Sequence, residues 1–98
     1  MLDDPKWHAL DLASLISWLE TKPGREEYCY QDTGGCLLAQ YFVARGYNHV
    51  LAGPDQLYYD NWKETPPIIL PPVFNKISQG RPRTFGAALD RARQAMEV

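Results

Sequence analysis

The chain has 98 residues, 45% of them hydrophobic and 22% charged, and its formal net charge is −2 at pH 7. This length suits one domain with one modest core, and the composition excludes a wholly disordered chain. No apolar run reaches the roughly 20 residues that a membrane span needs, so we expect no membrane partner.

The sequence predicts a cytoplasmic protein with reduced thiols. The acidic start Met1–Asp4 is unlike a signal peptide, and two cysteines, Cys29 and Cys36, are too few for a disulfide scaffold. Residues 1–35 carry seven acidic and three basic side chains, whereas residues 64–98 carry three acidic and five basic ones. This basic excess is too small for typical phosphate-backbone binding, so a protein is a better expected partner than nucleic acid.

The first predicted helix follows Asp11, a residue typical of helix N-caps. Its apolar residues have i, i+3, i+4, i+7 spacing and are Leu12, Leu15, Ile16 and Leu19. Lys22-Pro23-Gly24 supplies the stop. Weak alternation over Glu27–Tyr30 then predicts a short strand.

The run Asp32–Tyr41 combines a capping residue, two glycines and a cysteine before an apolar stretch. It predicts a central buried helix over Cys36–Arg45, capped at its start by Asp32 or Thr33 and closed by Gly46. A cysteine at a helix start can have a lowered pKa, because partial positive charge gathers there.

The next segments predict a small hairpin and an extended connector. His49–Ala52 and Gln56–Asp60 are β-prone and flank the turn-type insert Gly53-Pro54-Asp55. Four prolines make Thr65–Pro72 extended, either as a connector or as an edge strand at Ile68–Leu70.

Two further helices complete the chain. One begins at Pro72 and ends before Gly80, and the other follows Thr84 as its cap. The last helix has the apolar stripe Phe85, Ala88, Leu89, Ala92 and Met96. The resulting fold class is α+β: a single domain over residues 1–98, with three or four helices packed on a minimal β-hairpin or sheet. The predicted core consists of Leu12, Leu15, Ile16, Leu19, Leu38, Phe42, Phe74, Ile77, Phe85, Leu89 and Met96.

Two strings together resemble a group of small uncharacterised proteins of bacteria and their phages. They are Gly34–Tyr41, with the sequence GGCLLAQY, and Phe74–Ile77 followed by Arg83–Arg93, which reads RTFGAALDRAR. The resemblance covers about half of the chain and brings no known activity. It implies a phage or prophage accessory protein, a class that includes inhibitors of host defence such as anti-CRISPR proteins.

Cys36 and His49 are the candidates for an enzyme. Papain-like and cell-wall peptidase folds place a nucleophilic cysteine at the start of a central helix and a histidine on a following strand. The short spacing and the lack of a third orienting residue favour a buried structural thiol instead. A zinc site built from His8, Cys29, Cys36 and His49 is disfavoured by its spacing, so we expect no cofactor and no metal.

Two further groups are candidates for ligand contact. The glycine turn Asp32–Gly35 could present N–H groups to an anion, although a capping turn explains it equally well. The arginines around the last helix could contact phosphate or an acidic partner, or form a solvated face with an Asp90–Arg93 pair. This cluster consists of Arg81, Arg83, Arg91 and Arg93.

The aromatic hairpin and its exit form the strongest candidate surface. Its predicted partner-binding residues are Tyr47, Tyr58, Tyr59, Asp60 and Trp62. Strand alternation sends neighbouring tyrosines to opposite faces, so at least one is expected at the surface. We therefore expect a non-enzymatic protein-binding domain of phage-accessory type, with a Cys36/His49 hydrolase or transferase and a self-associating structural protein as the alternatives.

Overall fold

A computed structural model describes residues 10–61 and 63–97. It confirms the α+β class, with helices packed around a small antiparallel sheet. In chain order the elements are α1 (Leu12–Leu19), α2 (Leu37–Ala44), β1 (Leu51–Ala52), β2 (Gln56–Tyr58), β3 (Ile68–Ile69), α3 (Pro72–Gln79) and α4 (Phe85–Met96). Within the described ranges, no helix has the length and apolarity needed to cross a bilayer.

The helix ends follow local sequence signals, with one correction. Thr84 caps α4, since its hydroxyl oxygen accepts from the Ala87 N–H at 3.2 Å. Asp11 occupies the N-cap position of α1 without a side-chain cap hydrogen bond. The predicted cap of α2 by Asp32 or Thr33 is wrong, because Cys36 holds the N-cap position and its sulfur accepts from the backbone of α2.

The sheet has the order β1-β2-β3, with β3 at one edge as the edge-strand alternative predicts. Ala52 pairs with Leu57, and Leu57 also pairs with Ile68, so these three residues share the inner face. Leu57 is fully buried and Ala52 is nearly so. The β1 strand lies against α2, which places the inner face on the core.

The predicted strand over Glu27–Tyr30 is wrong. A single antiparallel bridge joins Glu27 to Thr84, and the Tyr28 N–H donates to the Arg83 carbonyl at 3.1 Å. Pairing stops there because α4 begins at the next residue and Pro82, on the other side, has no N–H to donate.

The core follows the predicted apolar positions apart from one. Seven predicted core residues are buried, namely Leu15, Leu19, Leu38, Phe42, Phe74, Ile77 and Phe85. Leu12, Ile16 and Leu89 pack against them while partly exposed. The prediction that Met96 lies in the core is wrong, because its side chain is 50% exposed.

The length of α4 explains the exposure of Met96. The helix has 12 residues, whereas its main neighbour α1 has eight. At 1.5 Å per residue, these helices are about 18 Å and about 12 Å long, so α1 cannot cover the full length of α4. Apolar periodicity predicts the face of a residue but not whether another element covers it.

Two aromatic rings that the sequence did not assign to the core, Tyr41 and Trp18, lie in it or pack against it. Tyr41 is fully buried and its ring lies 5.1 Å from that of Phe42 and 5.5 Å from that of Trp18. Trp18 in turn contacts Phe85 edge to face at 5.9 Å. These tilted and edge-to-face contacts join α1, α2 and the start of α4.

Candidate protein interface

The predicted aromatic surface divides between the core and the sheet. Tyr47 is buried, and its ring meets Phe42 edge to face at 5.6 Å. Tyr59 is half-buried and its ring lies 5.0 Å from that of Tyr47. These two tyrosines therefore extend the core aromatic cluster to the hairpin exit. Trp62 lies outside the described residues.

The other two predicted residues face outward. Tyr58 is half-buried, and its hydroxyl donates to the Gln56 side-chain oxygen at 2.8 Å. Tyr58 and Tyr59 thus lie on different faces, as alternation requires. Asp60 is exposed in a left-handed conformation with φ 54°, and its N–H donates to the Asn48 carbonyl at 2.7 Å. That hydrogen bond holds the chain where it leaves β2.

Strand pairing creates an apolar surface that we call the outer sheet face. It consists of Leu51, Gln56, Tyr58 and Ile69. Leu51 pairs with Tyr58 and Gln56 pairs with Ile69, so the four side chains project from one side. Leu51 is 43% exposed and Ile69 is 65% exposed. The side chains of Leu51 and Ile69 are thus exposed to solvent on the same face as the Tyr58 ring.

Leu51 and Ile69 are not among the residues that the sequence predicts for this surface. Each is followed by a buried residue, Ala52 or Leu70, so both positions carry the alternation of a half-buried strand. That alternation marks the two faces of a strand. Because apolar residues occur on both faces of these strands, the sequence does not show which face is buried.

The free edge of β3 is short. The Leu70 N–H donates to the Asp55 carbonyl at 2.9 Å, which makes Leu70–Asp55 a hydrogen-bonded pair. Hydrogen-bonded and non-hydrogen-bonded pairs alternate in an antiparallel ladder, so the peptide groups of Ile69 point away from β2. Pro67 and Pro71 lie on either side of the strand and cannot donate to another strand. Contact at this edge therefore depends on side chains more than on added backbone pairing.

Cys36 is a buried thiol. Its sulfur accepts from the Ala39 N–H at 3.5 Å, so it has the role of a capping side chain. Burial raises the pKa of the Cys36 thiol, and this outweighs the lowering effect of the backbone N–H groups at the helix start. The buried structural thiol favoured by the sequence is confirmed, and the lowering of the pKa that a helix start can cause is outweighed, because desolvation of the thiolate exceeds the stabilisation from the helix N-terminus.

Cys36 and His49 line different cavities. Cys36 lies in a pocket between α2, the hairpin turn and α3. His49 is exposed in a left-handed conformation with φ 53° and lines a wide depression with Asn48, Asp60 and Asn61. This placement favours the structural interpretation of the thiol over a cysteine–histidine pair.

The glycine turn before α2 packs around a carboxylate of the protein itself, the Asp32 side chain. The Asp32 carboxylate accepts from the Gly34 N–H at 3.1 Å. A Cβ at Gly35 would lie 2.6 Å from the same carboxylate, so the turn closes tightly on that side chain. The turn is therefore a closed structural unit. Among the described residues, no three His, Cys, Asp or Glu side chains are placed to hold a metal ion, and His8 lies outside those residues.

Three arginines of the predicted cluster contact the protein itself. The expected Asp90–Arg93 pair is wrong, because Arg93 pairs at 2.8 Å with Glu20, the residue that follows α1. The Arg83 guanidinium lies 4.7 Å from the centre of the Tyr30 ring. The carboxylate of Glu20 and the ring of Tyr30 thus contact arginines that the sequence analysis named as candidates for binding an anion.

Arg91 is the most fully bonded of these arginines. Its guanidinium donates to the Ile77 carbonyl at 2.7 and 2.9 Å, to the Pro82 carbonyl at 3.0 Å and to the Tyr28 hydroxyl at 3.0 Å. Burial raises the pKa of Tyr28, and its hydroxyl donates onward to the Ser78 carbonyl at 2.6 Å. Arg91 therefore joins α4 to the last turn of α3 and to the loop between them.

Comparison of the chain with protein-family models, with curated proteins and with solved structures finds no match.

Proposed function

We propose that this chain is a non-enzymatic domain that binds a protein partner through its outer sheet face. The observation that carries the proposal is the exposure of Leu51 and Ile69 on either side of the central strand, beside Tyr58. Apolar and aromatic side chains at the centre of a patch, with polar groups at its rim, are typical of protein interfaces.

The hydrogen bond between Tyr58 and Gln56 supports this role. It orients the ring on the strand, so a partner meets a tyrosine whose polar end is already paired. A pre-organised aromatic side chain loses less conformational freedom on binding than a mobile one.

The predicted binding set changes accordingly. Tyr58 and Asp60 remain in it, and Leu51 and Ile69 join it because they are exposed. Tyr47 leaves it, since its contacts are with the core. The resemblance to bacterial and phage proteins adds a target class to the proposal: a host defence complex that the domain inhibits as an accessory factor.

The test is affinity capture from bacterial lysate with two matched double variants. Leu51→Ser with Ile69→Ser removes apolar area from the outer sheet face, whereas Val43→Ser with Met96→Ser removes exposed apolar side chains elsewhere. We expect the first variant to lose a partner that wild type and the second variant retain. Far-UV circular dichroism and thermal unfolding check that both variants are folded.

Three results would contradict the proposal. One is retention of the partner by the sheet-face variant, and another is equal loss in both variants. The third is an empty capture together with a concentration-dependent mass in sedimentation, which would favour the self-associating alternative. A photo-crosslinker placed at Tyr58 adds a direct readout, because a true partner must form a covalent adduct there.

A further inference from the structure

One buried hydroxyl of the fold lacks a partner. Ser78 is fully buried in α3, and its Oγ forms no hydrogen bond. A helical serine commonly donates to the carbonyl four residues earlier, and this one does not. Buried polar groups almost always have a hydrogen-bond partner, so a bound molecule could supply the partner that the Ser78 hydroxyl lacks.

Ser78 lines a pocket of about 320 Å³, which we call the Cys36 pocket. Six of its lining residues come from three parts of the fold: Cys36 and Leu38 at the start of α2, Ala52 and Pro54 of the hairpin, and Asn75 and Ser78 of α3. Asn75 and Ser78 are three residues apart and therefore share one side of the helix. This volume is near the lower end of the range for small-molecule sites.

The polar groups of the pocket lie beside an apolar wall. The Tyr30 hydroxyl donates to the Asn75 side-chain oxygen at 2.8 Å, and the Asn75 amide donates to Gln79 at 3.1 Å. These bonds fix the carboxamide and leave the Ser78 hydroxyl unpaired. Leu38 offers apolar contact in the same pocket. A ligand that suits it has an apolar body and one hydrogen-bonding end.

The lining of the pocket selects against charge. Of the described residues that form it, none is an Asp, Glu, Lys, Arg or His. Burial keeps the Cys36 thiol protonated, so it adds no charge near neutral pH. An ionic ligand would lose hydration here and gain no opposite charge in return.

We propose that the Cys36 pocket binds a small neutral molecule, an amide or similar carbonyl compound, and that the Ser78 side chain, whose Oγ has almost no accessible surface in this structure, turns toward the ligand and pairs with it. Ala52 belongs to the inner face of the sheet, so this site is separate from the outer sheet face. The two proposals can therefore fail independently.

Three probes of one shape test the ligand class. Benzamide is neutral, benzoate is an anion and benzamidinium is a cation, and each is titrated into the ¹⁵N-labelled chain. We expect benzamide to shift the backbone amide signals of Thr33, Gly53 and Asn75 saturably, and the two ions to leave them in place at the same concentration. No saturable shift with benzamide, shifts confined to other regions, or equal binding of the ions would overturn the proposal.

Two serine substitutions test the hydrogen bond. Ser78→Ala should raise the dissociation constant of benzamide about tenfold, as expected for loss of one hydrogen bond. Ser17→Ala makes the same chemical change on the exposed side of α1 and should not alter it. An unchanged constant in Ser78→Ala would overturn the proposed pairing.

Thiol protection gives a readout in the wild-type chain that needs no variant. Benzamide should slow alkylation of Cys36 by a neutral reagent such as iodoacetamide, with exposed Cys29 as an internal reference whose rate stays constant. Equal alkylation rates of Cys36 with and without saturating benzamide would place the probe outside the pocket.

Discussion

Arg91 and Gly80 offer a sharp test of how α3 and α4 are held together. The Arg91 guanidinium reaches three acceptors, which are the Ile77 carbonyl, the Pro82 carbonyl and the Tyr28 hydroxyl. Its stem passes so close to Gly80 that a Cβ there would lie 2.5 Å from Nε and 2.6 Å from Cδ. Gly80 has φ −62° and ψ 158°, which any residue can adopt, so only this contact requires glycine.

Replacing Arg91 by alanine removes all three hydrogen-bonded contacts at once. The side chain is half-exposed, so we assign each contact about 1 kcal/mol, the value for an ordinary neutral hydrogen bond rather than the larger one for a charged donor, and expect a loss of about 3 kcal/mol in the free energy of unfolding. For a domain of this size, that corresponds to a fall of about 15 °C in Tm. Arg93→Ala is the matched control on the same helix and should cost under about 1 kcal/mol, since the Arg93–Glu20 pair is half-exposed.

The decisive experiment is a double-mutant cycle. In the wild-type background, Gly80→Ala should destabilise the protein, because the methyl group displaces the guanidinium from its acceptors. In the Arg91→Ala background the same change should become stabilising by about 0.5 kcal/mol, since alanine restricts the unfolded chain more than glycine does. The opposite signs of the two effects give the coupling free energy directly.

Urea denaturation followed by circular dichroism measures all four corners of the cycle. Two results would refute the reasoning. If Arg91→Ala costs no more than Arg93→Ala, the guanidinium does not join the helices in solution. If Gly80→Ala has the same effect on stability in both backgrounds, the position of the Arg91 side chain is not the reason that residue 80 is a glycine.

Three further predictions concern the helix ends and the surface. The raised pKa of the Cys36 thiol means that the folded state holds its proton more tightly than the unfolded state, so stability falls as pH rises above about 8.5, where a free thiol titrates. Cys36→Ser keeps a capping oxygen and should therefore show a smaller loss of stability between pH 7 and pH 10 in urea titrations. An equal loss in wild type and variant would contradict this prediction. Gly86→Ala should lower the free energy of unfolding by about 2 kcal/mol, because its Cβ would lie 2.9 Å from the Gly24 carbonyl oxygen. Gly34→Ala, whose nearest contact would be at 3.9 Å, should change stability by under about 0.5 kcal/mol. Similar losses of stability in the two variants would contradict this prediction. Met96→Gln should leave Tm within about 2 °C of wild type, and a larger fall would show that the side chain is buried in solution.

Local sequence signals predicted most of the secondary structure. Apolar spacing predicted α1, and Thr84 predicted the start of α4, because a helix is formed by contacts between residues that are close in the chain. The turn after Ala52 predicted the hairpin for the same reason. Such signals need no knowledge of the remaining chain.

The candidate site was only partly predictable. Alternation correctly placed Tyr58 and Tyr59 on different faces, but it did not say that the ring of Tyr59 meets Tyr47. Leu51 and Ile69 are exposed because, among the described elements, helix α2 packs on the inner side of the sheet. Coverage is decided by elements distant in the sequence, which a local pattern cannot report.

The sequence by itself determined the α+β class, the helix spans and the position of Cys36 at a helix start. Only the tertiary structure decided that burial outweighs the helix N-terminus and raises the pKa of that thiol. It also decided that Arg91 pairs with carbonyls of α3 and the following loop, and that Ser78 Oγ remains unpaired. Hydrogen bonding and desolvation depend on which groups surround an atom in space, and those neighbours are set by packing between distant segments.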